Sequence, residues 1–161
     1  MKIFVLTALA LIIFPAAALA AAEAPDVTLP DPDGGMHNVA SLLKGGGVLV
    51  MTAPTLPEKG VQEGWSKCLP DAMPKGGMLI FIEDMSVSAW KSIAENDMRR
   101  DWKPGVPPML LLDEKGGVRN VLGEARDATG VFVYGKGGGL VYTYRGGPSA
   151  GAAKTIWGKV K

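Results

Sequence analysis

The sequence predicts an α/β protein: a mixed sheet with helices on both faces, ending in a C-terminal β-hairpin and a final helix. Three observations carry this. Short unbroken apolar runs recur at Val48-Leu49-Val50-Met51, Met78-Leu79-Ile80-Phe81-Ile82 and Met109-Leu110-Leu111-Leu112, the pattern of strands buried on both faces. Between them lie stretches whose apolar residues repeat at helical spacing. Near the end, Val131-Phe132-Val133-Tyr134 and Leu140-Val141-Tyr142-Thr143-Tyr144 flank a glycine-rich loop, 135–139, whose length suits a hairpin. Helices that alternate with buried strands have to cover both faces of one sheet.

The chain opens on an export signal. Met1-Lys2 gives a positive end, residues 3–14 are apolar without a charge, Pro15 breaks the run, and Ala18-Leu19-Ala20 is a small-x-small cleavage pattern. Together these make residues 1–20 a cleavable secretory signal peptide. A membrane anchor needs about 20 apolar residues with anchoring flanks, and Ala21-Ala22-Glu23-Ala24-Pro25 supplies neither. Cleavage after Ala20 removes Lys2, so the formal charge falls from +1 to 0. A mature chain with no basic excess and no Lys/Arg run argues against a nucleic-acid-binding face. No later stretch is apolar enough to span a bilayer, so the expectation is a periplasmic protein, free of the membrane after cleavage. Residues 21–161 suit a single domain with a real core. The sequence has one cysteine, so no internal disulfide is possible and packing must hold the fold.

The elements follow in order. Asp26-Val27-Thr28-Leu29-Pro30 is extended, Asp31-Pro32-Asp33-Gly34-Gly35 is a turn, and Gly45-Gly46-Gly47 turns the chain into the first central strand. Thr55-Leu56-Pro57-Glu58 reads as a helix start: a Thr N-cap with Glu three residues on is a capping box, and proline is tolerated in a first turn. Val61, Trp65, Cys68 and Leu69 form that helix's apolar stripe, Gly60 and Gly64 weaken it, and Pro70 and Pro74 mark its end. After the second central strand, Asp84 or Ser86 can cap a helix carrying Val87, Trp90, Ala94 and Met98. Arg99 and Arg100 sit near its C-terminal end, where positive charge is favourable. Ser149 caps a last helix with Ala153, Ile156, Trp157 and Val160 on one side.

This order of elements resembles the thioredoxin fold, in its peroxiredoxin and TlpA-like extracytoplasmic branch. Val27-Thr28-Leu29-Pro30-Asp31-Pro32-Asp33-Gly34-Gly35, then Val39-Ala40-Ser41-Leu42-Leu43-Lys44-Gly45, looks like that branch's opening hairpin. Val131-Phe132-Val133-Tyr134 to Leu140-Val141-Tyr142 looks like the family's late hairpin. Residues 112–123 are similar to the piece before it in peroxiredoxins and in the small YtfJ-type periplasmic group. The resemblance covers most of the mature chain and implies a thioredoxin-like domain over residues 21–161.

In redox-active relatives it also implies a nucleophilic cysteine at the start of the helix after the first central strand, where the helix N-terminus stabilises thiolate. Here that segment, Thr52-Ala53-Pro54-Thr55-Leu56-Pro57-Glu58-Lys59-Gly60-Val61, has no cysteine. A CxxC pair would fall near Pro57 and Gly60, a peroxidatic cysteine near Gly60 or Val61. The equivalents of the family's site are therefore Thr52, Pro54, Thr55 and Pro57, with Thr129 from the loop that faces them. Val106-Pro107-Pro108 competes with Ala128-Thr129 for the place of the family's cis-proline, with Pro107 as the candidate. Ala128-Thr129 is preferred because it precedes the stronger hairpin.

Any cysteine chemistry must use Cys68. Counted from Thr55 it lies about 18–20 Å from the helix N-terminus, beyond the reach of the dipole. Its place on the apolar stripe favours core filling over an accessible, resolving or intermolecular thiol. His37, the one histidine, follows a glycine turn on an exposed hairpin. It has no second histidine or cysteine cluster with which to build a zinc site, and no nucleophile elbow to join in a triad. The glycine loops at 45–47 and 135–139 lack the ending of a phosphate loop. Glu83-Asp84 and Asp113-Glu114 read as solvated strand ends rather than a cation site. Trp65, Trp90 and Trp157 fit apolar stripes, which leaves Trp102 to face a partner.

No cofactor or metal is expected. The expected function is that of an exported thioredoxin-fold protein with a degenerate active site, a non-catalytic module binding a periplasmic protein partner or a ligand. The alternative is a thiol-disulfide oxidoreductase or peroxiredoxin-like protein in which Cys68 forms mixed disulfides with a partner thiol. The sequence gives no handle on oligomeric state.

Overall fold

The computed structural model describes residues 22–87, 105–126 and 128–161. Two short strands, β1 (Thr28–Pro30) and β2 (Met36–Asn38), pair antiparallel around the 31–35 turn. Asn38 caps α1 (Val39–Leu43), its Oδ1 accepting the Ser41 N–H at 2.8 Å. The apolar runs then become β3 (Gly47–Thr52), β4 (Leu79–Asp84) and β5 (Met109–Asp113), and the late hairpin becomes β6 (Gly130–Tyr134) and β7 (Leu140–Tyr144). These five form one sheet in the order β5-β4-β3-β6-β7. β3, β4 and β5 are parallel, whereas β6 runs antiparallel to β3 and β7 antiparallel to β6.

Three helices complete the described body: α2 (Lys59–Ala72), α3 (Gly117–Leu122) and α4 (Ala150–Trp157). Side chains alternate across a strand, and the core divides accordingly. Leu49, Met51, Ile80, Ile82, Leu111 and Phe132 pack on one face with Leu29, with Val39 and Leu43 of α1, and with Val118 of α3. Val48, Val50, Leu79, Phe81, Val131 and Val133 pack on the other with Trp65 and Leu69 of α2 and Ile156 and Trp157 of α4. The α2–α4 layer is pinned by the Trp157 indole N–H, which donates to the Leu69 carbonyl at 2.9 Å. Trp65 meets Tyr144 edge-on, ring centres 5.7 Å apart. The mixed sheet, the helices on both faces and the terminal hairpin plus helix are as the sequence predicts.

Four details differ. The helix after β3 begins at Lys59 rather than Thr55, and its N-cap, Glu58, makes no side-chain cap bond. The capping box cannot close because the Thr55 N–H is already given to the Ala53 carbonyl at 2.7 Å and the Glu58 carboxylate is used elsewhere. Pro70 does not end α2 but sits inside it, with the helix running on to Ala72. It lies in the last turn, two residues before the helix ends, so the bond it removes from the ladder interrupts the helix only at its end. Third, α3 has no counterpart in the expected elements. Finally, Glu83, Asp84 and Asp113 are buried, not solvated. Of the helix expected after β4, Met85–Val87 form a short 3-10 turn. Trp90, Ala94, Met98, Arg99, Arg100 and Trp102 lie outside the described residues, as does the 1–20 segment. Among the described residues no helix is long and apolar enough to cross a membrane.

Candidate functional site

Strand direction brings the site together. Thr52 ends β3, so the loop 53–58 and the start of α2 lie at the C-terminal end of the parallel strands. β6 is antiparallel to β3 with Met51 opposite Gly130, so residues 128–129, just before β6, arrive at the same end. Met109 at the start of β5 pairs with Ile80 near the start of β4, which places Pro107 at the opposite end of the sheet. The Pro107–Pro108 peptide bond is cis, but direction alone keeps it away from α2's N-terminus. Ala128-Thr129 is therefore the loop that faces the helix start.

The contact there is direct. The Thr129 hydroxyl donates to Glu58 Oε2 at 2.6 Å, tying the loop before β6 to the first turn of α2. Nearby, the Gln62 side-chain amide donates to the Ala53 carbonyl. Pro54 and Thr55 are half-buried and Pro57 is exposed. Leu56 stands 88% exposed at the tip of the loop.

Beneath this loop is a buried polar cluster built around Arg119. Its Nε donates to Asp84 Oδ2 at 2.6 Å, with both side chains almost fully buried. Nη1 donates to the carbonyls of Ala125 and Ala128 at 2.5 and 2.7 Å, and Nη2 to the Thr52 carbonyl at 2.9 Å. One guanidinium thus joins the end of β3, the end of β4 and the loop that carries Thr129. Asp84 Oδ1 also accepts the Ser86 N–H and hydroxyl at 3.0 and 2.5 Å. Asp113 holds the start of α3, its Oδ2 accepting the Val118 N–H at 2.8 Å.

Glu83 differs. By alternation it faces α2 with Val48, Val50 and its cross-strand partner Thr52, and its Oε2 is buried with no hydrogen-bond partner among the described residues. Burial pushes its carboxyl up to about 7 against the opposing pull of the Thr52 hydroxyl and the Arg119 charge, with the neighbouring Asp84 charge adding to the rise.

Cys68 lies nine residues after Lys59, about 13 Å along α2 at 1.5 Å per residue, nearer than a start at Thr55 implied but still beyond the first turn. It is half-buried and packs against the α2–α4 core. Burial raises its thiol above the ordinary value; backbone N–H groups of Cys68 and Ser149 pull the other way, and the Asp71 charge raises it further. His37 lies away from this cluster on β2, its Nε2 2.8 Å from Asp31 Oδ2. Burial of Asp31 is outweighed by the hydrogen bonds it accepts from His37, Gly35 and Asp33, with the His37 charge adding to them, and its carboxyl is lowered.

The structure brings Thr52, Pro54, Thr55, Pro57 and Thr129 to one end of the sheet and leaves Cys68 on the flank of α2. Among the described residues no group of three or more His, Cys, Asp or Glu is placed to hold a metal ion. Sequence reasoning missed Arg119, whose one usable signal was Gly123 just after α3. Gly123 adopts φ 65° and its N–H returns to the Arg119 and Asn120 carbonyls, the usual end of a helix.

No protein-family model and no curated protein matches the chain. Solved structures do. The pneumococcal exposed lipoprotein thioredoxin Etrx1 from Streptococcus pneumoniae superposes with a TM-score of 0.62 at 15% identity, covering 84% of this chain and 100% of its own. A thiol:disulfide interchange protein of the thioredoxin family from Chlorobium tepidum gives 0.59 at 16% identity, covering 88% and 97%. The chain has the thioredoxin fold. A secreted Mycobacterium tuberculosis disulfide oxidoreductase homologous to E. coli DsbE is also similar, with a TM-score of 0.57 at 13% identity over 83% of this chain and 93% of that one. On this thioredoxin fold the loop 52–58 and Thr129 stand at the helix start, where residues 57–61 read Pro57-Glu58-Lys59-Gly60-Val61 and contain no thiol.

Proposed function

We propose that this is an exported thioredoxin-fold protein that binds a periplasmic protein partner or ligand without thiol turnover, through the 52–58 loop and Thr129. One observation carries the reading. The only thiol in the sequence, Cys68, lies on the flank of α2 with its pKa raised, while the helix start is closed by the Thr129–Glu58 hydrogen bond. Nucleophilic thiol chemistry needs thiolate, and neither the position nor the surroundings of Cys68 favour it. The exposed Leu56 beside Pro57 gives a partner an apolar side chain to bury, which is favourable in proportion to the area removed from water. Export rests on the 1–20 signal, and the likeness to a secreted oxidoreductase and an exposed lipoprotein supports it.

The second reading, a one-cysteine redox protein, keeps one point in its favour: Cys68 is not fully closed off. Assays of disulfide-reductase and peroxidase turnover on the purified protein and on Cys68→Ser separate the two. Background rates in both proteins support the binding reading. Turnover in the parent that Cys68→Ser abolishes would establish the redox reading.

A further inference from the structure

Arg119 also lines a cleft of about 280 Å³, which it shares with Asp84, Ser86, Lys115, Glu124 and Arg126 among others. Its floor is built, because Arg119 and Asp84 are 3% and 1% exposed. Both carboxylates in its lining are already committed. Asp84 holds Arg119 and Ser86, and Glu124 Oε1 accepts from Arg145. Lys115 and Arg126 are exposed and have no ion-pair partner among the described residues. Among the described residues, the concavity therefore presents two positive charges without a paired carboxylate. Its volume lies just below that of drug-sized ligand sites, which start at about 300 Å³. That is too little for a peptide segment and enough for a compact anion.

We propose that this cleft binds a small phosphate dianion, free or as the head of a short monoester. A phosphate carries a charge of about −1.5 to −2 at neutral pH and three acceptor oxygens. Arg126 offers a planar fork of donors and Lys115 a mobile point charge, the pair that suits such a group. The proposal is independent of what the 52–58 loop binds.

Calorimetric titration of the purified protein with inorganic phosphate, and separately with glycerol phosphate, at constant ionic strength tests it. Binding of either probe is expected, weakened at least about tenfold in Lys115→Gln/Arg126→Gln, which removes two charge-assisted bonds. Lys154→Gln/Lys159→Gln, a pair of exposed lysines outside the cleft, should leave it unchanged. Tighter binding of glycerol phosphate marks a monoester site, and tighter binding of phosphate marks a free-anion site. No heat with either probe, or equal weakening by both double variants, would overturn the proposal. Both pairs lie on the surface, so thermal unfolding midpoints matching the parent protein confirm that each variant is folded.

Discussion

Thr129 and Glu58, 71 positions apart in the sequence, are joined by a 2.6 Å hydrogen bond from hydroxyl to carboxylate. The bond fastens the loop before β6 to the first turn of α2 and explains why Glu58 does not complete a capping box with Thr55. Thr129→Val keeps the side chain's shape and deletes the donor. It should lower unfolding free energy by about 1 kcal/mol, read from urea midpoints, and weaken capture of whatever the 52–58 loop binds.

The Arg119–Asp84 pair is costlier to disturb. Replacing Arg119 by Met strands a buried carboxylate and frees three carbonyls at once, so a loss of about 3–5 kcal/mol is expected. Asp84→Asn/Arg119→Met should lose less than the two single losses added together, because no unpaired charge then remains inside. A double-mutant cycle in denaturant measures this. Additive losses would mean that the two side chains are not coupled.

Glu83 makes stability depend on pH in a defined direction. Its ordinary value is 4.5 and its folded value about 7, so between these the folded state holds a proton that the unfolded chain has released. Stability is full below about pH 4.5 and falls as pH rises through 7, by roughly 3 kcal/mol. Asp31 works on the other side. Its lowered folded value gives stability that is present above its ordinary 3.8 and lost as pH falls further. Glu83→Gln should flatten the decline above pH 4.5 and leave the acid limb alone, as a series of denaturant titrations across pH would show.

Two glycines of α2 should respond oppositely to alanine. A Cβ at Gly60 meets nothing within 4 Å, so Gly60→Ala should gain up to about 1 kcal/mol from helix propensity. A Cβ at Gly64 would lie 2.3 Å from Cγ of Pro148 and 2.9 Å from its Cβ, where the chain enters α4. Gly64→Ala should therefore destabilise in spite of the same propensity gain, and thermal midpoints of the two variants should move in opposite directions.

The sheet was legible because its strands are buried on both faces. Val48-Leu49-Val50-Met51 and the runs at 78–82 and 109–112 have to be apolar throughout, and the 135–139 glycines mark the hairpin plainly. The site was legible only in outline. That Ala128-Thr129 faces the start of α2 follows from the better hairpin, but the bond to Glu58 depends on a partner in another element. Glu83 and Asp84 look alike from the sequence whether solvent or protein covers them, and the cover for Asp84 comes from Arg119, 35 positions on. Arg119 itself sits in a six-residue helix, too short for a periodic pattern to reveal.

The central claim is that the only thiol of this thioredoxin fold is not held as a reagent. Alkylation of the native protein over a range of pH tests it directly, since labelling tracks the thiolate at Cys68. Slow labelling at neutral pH, accelerating only above the ordinary thiol value and becoming rapid once the chain is unfolded, is the expected result. Rapid labelling of the folded protein at neutral pH with a depressed apparent pKa would contradict the account.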